Sequence, residues 1–331
     1  MPKTFSIVQR ILLDNFLLIT GAAGFIGFHL CKSLLDDGYV VFGIDNINDY
    51  YDPSLKYARL EHLKPYKNFK FEKVDIADRD TITQSFQTFK PNKVVNLAAQ
   101  AGVRYSLENP YAYMDANLVG FLNILELCRH NDVEGLIYAS SSSVYGGNAK
   151  TPFSVEDRVD NPISIYAASK KANELIANSY SHLYGLHTTG LRYFTVYGPW
   201  GRPDMAMFIF TKNILECKPI PVFNNGKMKR DFTFIDDIIN GTKSAISNNY
   251  RCEIFNLGNN RSEQLMDMIA LIEKELGVKA NVNLLPMQAG DVSESHADID
   301  YSFKKLGYQP SVSINKGIPL FIEWYKMFYN K

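Results

Sequence analysis

Tyr166 and Lys170 are the pair in this chain best suited to moving a proton. The run Tyr166-Ala167-Ala168-Ser169-Lys170 sets a phenol and an ammonium four positions apart, on one face if the segment is helical. A free tyrosine has a pKa of roughly 10, too high for a base at neutral pH. A nearby positive charge favours the phenolate, which could take a proton from a hydroxyl as hydride leaves the same carbon. Such pairs also decorate ordinary helix surfaces, so their meaning depends on what surrounds them. Upstream, the apolar run Leu136 to Ala139 ends in Ser140-Ser141-Ser142-Ser143, a row of hydroxyls at the C-terminal end of an expected strand. Open α/β sheets bind ligands at those ends.

A second constellation points to a phosphate seat. Leu17-Leu18-Ile19-Thr20 enters a turn holding Gly21, Gly24 and Gly27, and an amphipathic helix from Phe28 to Asp36 leaves it. Gly21 permits the tight turn, Gly24 lets backbone approach a pyrophosphate, and Gly27 lets helix and strand pack closely. Free N–H groups at the helix start face the anion. About twenty residues on, the apolar run Tyr39 to Ile44 ends at Asp45, placed to accept from adenosine ribose hydroxyls and to repel a 2′-phosphate. No Arg or Lys follows until Lys56, which favours NAD over NADP. An oxidised nicotinamide would then add to the positive charge that lowers the Tyr166 pKa.

The elements that must position these groups alternate. Strands are expected at Phe69 to Val74 (followed by Asp75-Ile76, which would meet the adenine), Val94 to Ala98, Leu136 to Ala139 and Leu191 to Val196, with helices at Thr81 to Phe89, Tyr111 to Arg129 and Tyr166 to Tyr184. Asn46 to Leu63 reads as a polar, tyrosine-rich insertion. The alternation predicts an α/β fold, a Rossmann-type doubly wound parallel sheet. After Tyr197-Gly198-Pro199 the regularity fails, giving a division at 1–196 for the cofactor and 197–331 mainly for substrate. The chain is expected to rejoin the sheet side at about 232–257.

Composition bounds the rest. The 331 residues hold 35 acidic and 35 basic side chains, so there is no net field for nucleic acid or an anionic membrane. Any anionic ligand must be held locally, and Lys227-Met228-Lys229-Arg230 suits a diphosphate. The four scattered cysteines argue against a metal site or a disulfide framework and fit a reducing, cytoplasmic setting. Arg10 and Asp14 interrupt the first apolar run, so neither an export signal nor a membrane span is expected. Pro2 to Asp14 reads as an extension, a short helix in front of the first strand. His29, His182 and His187 read as core or surface residues, since Tyr166 fills the base role.

Together, Gly21-x-x-Gly24-x-x-Gly27, Asp45, Ser141, Tyr166-x-x-x-Lys170 and Leu191-Arg192-Tyr193-Phe194 resemble the extended short-chain dehydrogenase/reductases, and within them the nucleotide-sugar 4-epimerases. Asp45-Asn46-Ile47-Asn48-Asp49-Tyr50-Tyr51-Asp52-Pro53, Ala98 to Ser106 and Gly198-Pro199-Trp200-Gly201-Arg202-Pro203-Asp204 look like UDP-glucuronate 4-epimerases. The resemblance runs from about Leu17 to the C-terminus. It implies tightly held NAD, a transient 4-keto sugar, a place in polysaccharide biosynthesis, and a homodimer built as a four-helix bundle from the helices at Tyr111 to Arg129 and Tyr166 to Tyr184.

The resemblance also implies roles. Tyr166, Lys170 and Ser141 would be catalytic. NAD would contact Gly21, Ala23, Gly24, Phe25, Ile26, Gly27, Asp45, Asn46, Asp75 and Ile76. Leu97, Ala98, Ala99, Gln100, Asn117, Ser140 and Tyr193 would complete its seat with Tyr166 and Lys170. Thr195 stands where the galactose epimerases carry asparagine. Arg230 matches the diphosphate-binding arginine, Pro221 and Phe223 lie on the edge that meets the uracil, and Asp291 matches the ribose-binding aspartate. A second family arginine appears here as Gln288, and Arg104 or Lys227 is the expected replacement. Ser142 and Ser143 stand where related dehydratases and decarboxylases carry a carboxylate, which favours epimerisation. Arg202 could grip a sugar carboxylate through two charge-assisted bonds, or simply pair with Asp204. The rival readings are a 4-epimerase for UDP-glucose, UDP-N-acetylglucosamine or N-acetylated uronates, a UDP-glucuronate decarboxylase, and a non-catalytic NAD-binding protein on the same fold.

Overall fold

A computed structural model describes residues 16–331 of the chain; the expected N-terminal extension at Pro2 to Asp14 lies outside the described residues. The chain begins as β1 (Phe16–Thr20), α1 (Phe25–Asp36), β2 (Val40–Asp45), α2 (Pro53–Leu63), β3 (Phe69–Lys73), α3 (Arg79–Phe89) and β4 (Lys93–Asn96). It continues through α4 (Gly120–His130), β5 (Gly135–Ser141), α5 (Ile165–Tyr184), β6 (Thr188–Tyr193) and β7 (Thr195–Tyr197). The C-terminal part holds α6 (Ala206–Leu215), β8 (Ile220–Val222), β9 (Lys229–Arg230), β10 (Phe232–Phe234), α7 (Ile235–Asn248) and β11 (Cys252–Leu257). It ends with β12 (Glu263–Gln264), α8 (Leu265–Leu276), β13 (Val282–Leu284), α9 (Asp300–Leu306) and α10 (Ile314–Tyr329).

Seven strands form one sheet in the order β11-β6-β5-β4-β1-β2-β3, with every pair parallel. Parallel strands are covered on both faces, and β1 shows how. Leu17 and Ile19 enter one hydrophobic core while Leu18 enters another on the opposite side. β11 supplies the seventh strand by pairing with β6, and α7 packs on α1. β10 does not join this sheet. It pairs with β7 alone, as β9 pairs with β12 and β8 with β13.

Three elements differ from expectation. The strand expected at Leu191 to Val196 is divided, with β6 ending at Tyr193 in the main sheet and β7 starting at Thr195 in a separate pair with β10. The tyrosine-rich insertion contains α2, started by Asp52 accepting from the Ser54 N–H at 2.9 Å with Pro53 in the first turn. The helix expected from Tyr111 begins at Pro110 and widens into a π-helix over Met114–Val119 before α4. The carbonyl of Asn117 in that stretch accepts from Asn173 Nδ2 at 2.6 Å, a side-chain bond beside the widened backbone register.

Candidate active site

The glycine turn follows β1. Gly21 is in the left-handed region at φ +72°, and Gly24 N–H closes the turn onto Gly21 O at 2.9 Å. A Cβ at Gly27 would sit 2.0 Å from the Gly21 carbonyl oxygen, so α1 approaches β1 only because that position has no side chain. Asp45 closes the far side. Its carboxylate accepts from Ala23 N at 3.2 Å and from Ile47 N at 2.8 Å. Ala23 is therefore a buried brace behind the turn, not part of the wall of the cleft.

That cleft has a volume of about 770 Å3 and opens at the C-terminal ends of the central strands. Gly21, Gly24, Phe25, Ile26, Gly27, Asp45 and Asn46 line one end. Asp75 and Ile76 stand beside them, and Asn46 Nδ2 donates to Asp75 Oδ2 at 3.0 Å. Leu97, Ala98, Ala99 and Gln100 form the floor, with Ser140 and Tyr193 beyond. Asn117 is buried outside the wall. It acts through Gln100, accepting from its N–H at 2.9 Å and donating to its carbonyl at 3.0 Å, and it also donates to Ser169 Oγ at 2.9 Å.

Tyr166 and Lys170 lie in the first turns of α5, which Ser164 caps by accepting from Ala167 N at 3.1 Å. Both line the cleft with Ser141, Ser142 and Ser143. Lys170 Nζ donates to the Ala139 carbonyl at 2.9 Å, and burial brings its pKa down to about 8. Burial pushes the Tyr166 phenol above its ordinary value, while the Ser141 hydroxyl and the Arg202 charge work to lower it. The expected lowering by Lys170 is thus not what dominates at this phenol. The end of β5 is held from behind. Glu174 accepts from Ser140 Oγ at 2.7 Å and from Arg192 at 2.8 and 2.9 Å, a buried pair in which burial works against the Glu174 charge and Arg192 outweighs it. The Ser140 hydroxyl is thereby committed to Glu174.

The other end of the cleft carries Thr195, Arg202, Pro221, Phe223, Arg230, Asp291 and Arg104. Arg202 and Asp204 pair through two bonds, and Tyr50 OH donates to Asp204 at 3.1 Å. Arg230 Nη2 donates to Asp291 Oδ1 at 2.7 Å. The Arg104 guanidinium lies 4.8 Å from the centre of the Phe223 ring. Gln288 does not line the cleft and its Oε1 is buried without a partner, while Lys227 is exposed and away from it. Of the two expected replacements for the missing arginine, Arg104 is the one in the wall.

Sequence reasoning passed over Lys56. It returns along α2 to the wall of the cleft, where Nζ donates to Asn48 Oδ1 at 2.8 Å and lies 3.7 Å from Asp45 Oδ1. The signal was available: the Asp52-Pro53 helix start puts Lys56 one turn into a helix that runs back past Asp45. Among the described residues no cluster of His, Cys, Asp or Glu could hold a metal, and no helix is long and apolar enough to cross a membrane.

A parallel sheet in this order, a three-glycine turn and a tyrosine-lysine pair over one cleft define a nucleotide-dependent short-chain enzyme. The NAD dependent epimerase/dehydratase family matches residues 17–258, and the chain belongs to that family. It is 46% identical over 331 residues to UDP-glucuronate 4-epimerase 4 of Arabidopsis thaliana, covering 95% of this chain and 76% of the relative. It is 43% identical over 333 residues to a probable UDP-glucuronate 4-epimerase of Rhizobium meliloti, covering 95% of this chain and 98% of the relative. Among solved structures, the UDP-glucuronic acid 4-epimerase of Bacillus cereus, in complex with UDP-glucuronic acid and NAD, superposes with a TM-score of 0.89 at 36% identity, covering 95% of this chain and 99% of that one.

The residues present fit NAD. The cradle at Gly21 and Gly27 is one that a Cβ would fill, and the Asp45 carboxylate lies at the cleft wall beyond it.

Proposed function

We propose that this protein is a UDP-glucuronate 4-epimerase that interconverts UDP-glucuronate and UDP-galacturonate through a transient 4-keto sugar. The observation that carries the reading is the company Tyr166 keeps. It shares one cleft with a cation, Arg202, and with the neutral hydroxyls of Ser142, Ser143 and Thr195. NAD held along the glycine turn and beside Lys170 supplies the acceptor and donor of hydride. Tyr166 takes the proton from the 4-hydroxyl, with Ser141 sharing that hydrogen bond, and returns it to the 4-oxygen after the 4-keto sugar has turned its other face toward the nicotinamide. Lys170 anchors the ribose next to the nicotinamide and keeps positive charge near the phenolate.

Arg202 grips the sugar carboxylate by exchanging part of its pairing with Asp204, and the serines and Thr195 complete that contact without a base. This matters because a 4-keto uronic acid is a β-keto acid that readily loses carbon dioxide. Holding its carboxylate with donors keeps it in place. Arg230 and Arg104 bind the diphosphate, Phe223 and Pro221 the uracil, and Asp291 the uridine ribose. In this reading residues up to 196, with 232–257, hold the cofactor, and the remainder of 197–331 mainly holds the UDP-sugar.

The enzyme works as a cytoplasmic homodimer supplying a sugar acid for polysaccharide. Four free cysteines suit a reducing compartment. The dimer rests on apolar side chains left exposed along α4 and α5 and the turns before them, among them Tyr111, Leu122, Leu175 and Leu183. The function is tested by offering UDP-glucuronate, UDP-glucose and UDP-N-acetylglucosamine in parallel and resolving the products by anion exchange and mass. Conversion of only the neutral sugars would refute the acid-specific reading.

A further inference from the structure

Three consecutive carbonyls on the loop before Arg202 are each taken by a side chain from the cofactor half of the molecule. His29 on α1 lies 2.9 Å from Pro199 O through Nε2. Arg59 on α2 donates from Nη2 to Trp200 O at 2.6 Å and to Gly201 O at 3.3 Å. The other arm of Arg59 donates from Nη1 to Ala23 O in the glycine turn at 2.9 Å and to Tyr51 OH at 2.8 Å. Arg59 is fully buried, has no carboxylate within ion-pair distance among the described residues, and leaves Nε without a partner. A buried cation of this kind is costly unless hydrogen bonds offset its lost hydration, and the four that Arg59 makes also fix one geometry.

The geometry it specifies is unusual. Trp200 sits at φ +63°, a region bulky side chains avoid, and is packed among Phe28, His62, Trp324 and Phe328. The chain leaves this constrained residue and delivers Arg202 into the cleft two positions later. We infer that Arg59 is a positioning residue that locks the 199–201 loop to the glycine turn and so sets where Arg202 meets the acid group of the substrate. The planar fork is what the task needs: one guanidinium reaches the cofactor turn with one nitrogen and the acid-binding loop with the other, which an ammonium cannot do.

This rests on the proposed role of Arg202, so the test separates the two. Holoenzymes carrying Tyr166→Phe, which permits equilibrium binding without turnover, are titrated calorimetrically with UDP-glucuronate and with UDP. Adding Arg59→Lys should weaken UDP-glucuronate binding about tenfold and leave UDP within about twofold, because UDP makes no use of Arg202. In an Arg202→Ala background the same Arg59→Lys change should add less than about twofold. Equal losses for UDP and UDP-glucuronate, or an undiminished loss without Arg202, would overturn the positioning role. If Arg202→Ala itself leaves UDP-glucuronate binding unchanged, the acid-binding reading fails and the positioning role falls with it. His29→Leu, which touches the same loop only at Pro199, is measured alongside. Should Arg59→Lys fail to fold, a His29→Leu protein that binds both ligands like its parent overturns the inference, and a selective loss for UDP-glucuronate supports it.

Discussion

Arg202 faces Asp204 across two hydrogen bonds, Nε donating to Oδ1 at 3.0 Å and Nη2 to Oδ2, while Tyr50 donates to the same carboxylate. Burial works against the Arg202 charge and the Asp204 carboxylate more than compensates, so the cation persists in the cleft at every physiological pH. An arginine already held by one carboxylate is oriented for a second. Arg202→Ala is expected to weaken UDP-glucuronate binding by about 10- to 150-fold, the equivalent of about 1.5–3 kcal/mol for hydrogen bonds to a charged group. UDP-glucose binding should change by no more than about threefold. Calorimetric titration of both ligands checks this, and equal losses would mean that the pair with Asp204 is purely structural.

Removing the phenolic oxygen isolates the proton transfer. Tyr166→Phe should lower kcat by about 10²–10⁴ with UDP-glucuronate affinity nearly unchanged, since the ring remains and only the base is lost. Rapid-quench turnover measurements decide it. A variant that keeps most of its kcat would move the base elsewhere in the cleft.

One buried group and one partly buried group make stability depend on pH in opposite ranges. Burial lowers Lys170 from 10.5 to about 8, so between those values the unfolded chain binds a proton that the folded one does not, and stability should rise with pH there. Burial lowers His29 from 6.5 to about 4 by the same logic. Its cost appears as pH falls through that range, and acid should destabilise the fold. Thermal unfolding of the free protein should show a gain above pH 8 that Lys170→Met lacks and an acid loss that His29→Leu reduces. Identical pH profiles in the variants would assign both effects to other groups.

Leu122 and Leu175 are exposed on α4 and α5, helices that also pack on each other through Tyr180 OH donating to Glu126 at 2.7 Å. Introducing Leu175→Glu should shift sedimentation from dimer to monomer at micromolar concentration, because a charge would be buried without a partner. A parent protein that sediments only as monomer would end the bundle proposal.

Local spacing carried much of what could be read beforehand. Gly21, Gly24 and Gly27, Asp45, the serine run and Tyr166 with Lys170 sit within single strand-turn-helix units, where a few residues decide geometry, and β11 falls inside the return to the sheet side expected at about 232–257. What escaped depends on contacts between distant segments. Nothing near Arg59 in sequence announces that it reaches the Trp200 carbonyl, and nothing near Asn117 announces that it braces Gln100 from behind the wall. Gln288 shows the opposite limit: its alignment with a family arginine did not place it in the cleft. The start of α2 is legible locally, since Asp52-Pro53-Ser54 is a helix start written in three residues.

In the proposed reaction C4 of a uronic acid is oxidised and reduced again within one holoenzyme. UDP-glucuronate labelled with deuterium at C4 should be incubated with the purified protein in ordinary water, without added NAD, and the products resolved by anion exchange and mass spectrometry. The expected product is a second sugar acid of unchanged mass that keeps its deuterium, because the hydride returns to the carbon it left. A pentose product, or an epimer that has exchanged its deuterium for solvent hydrogen, would contradict it.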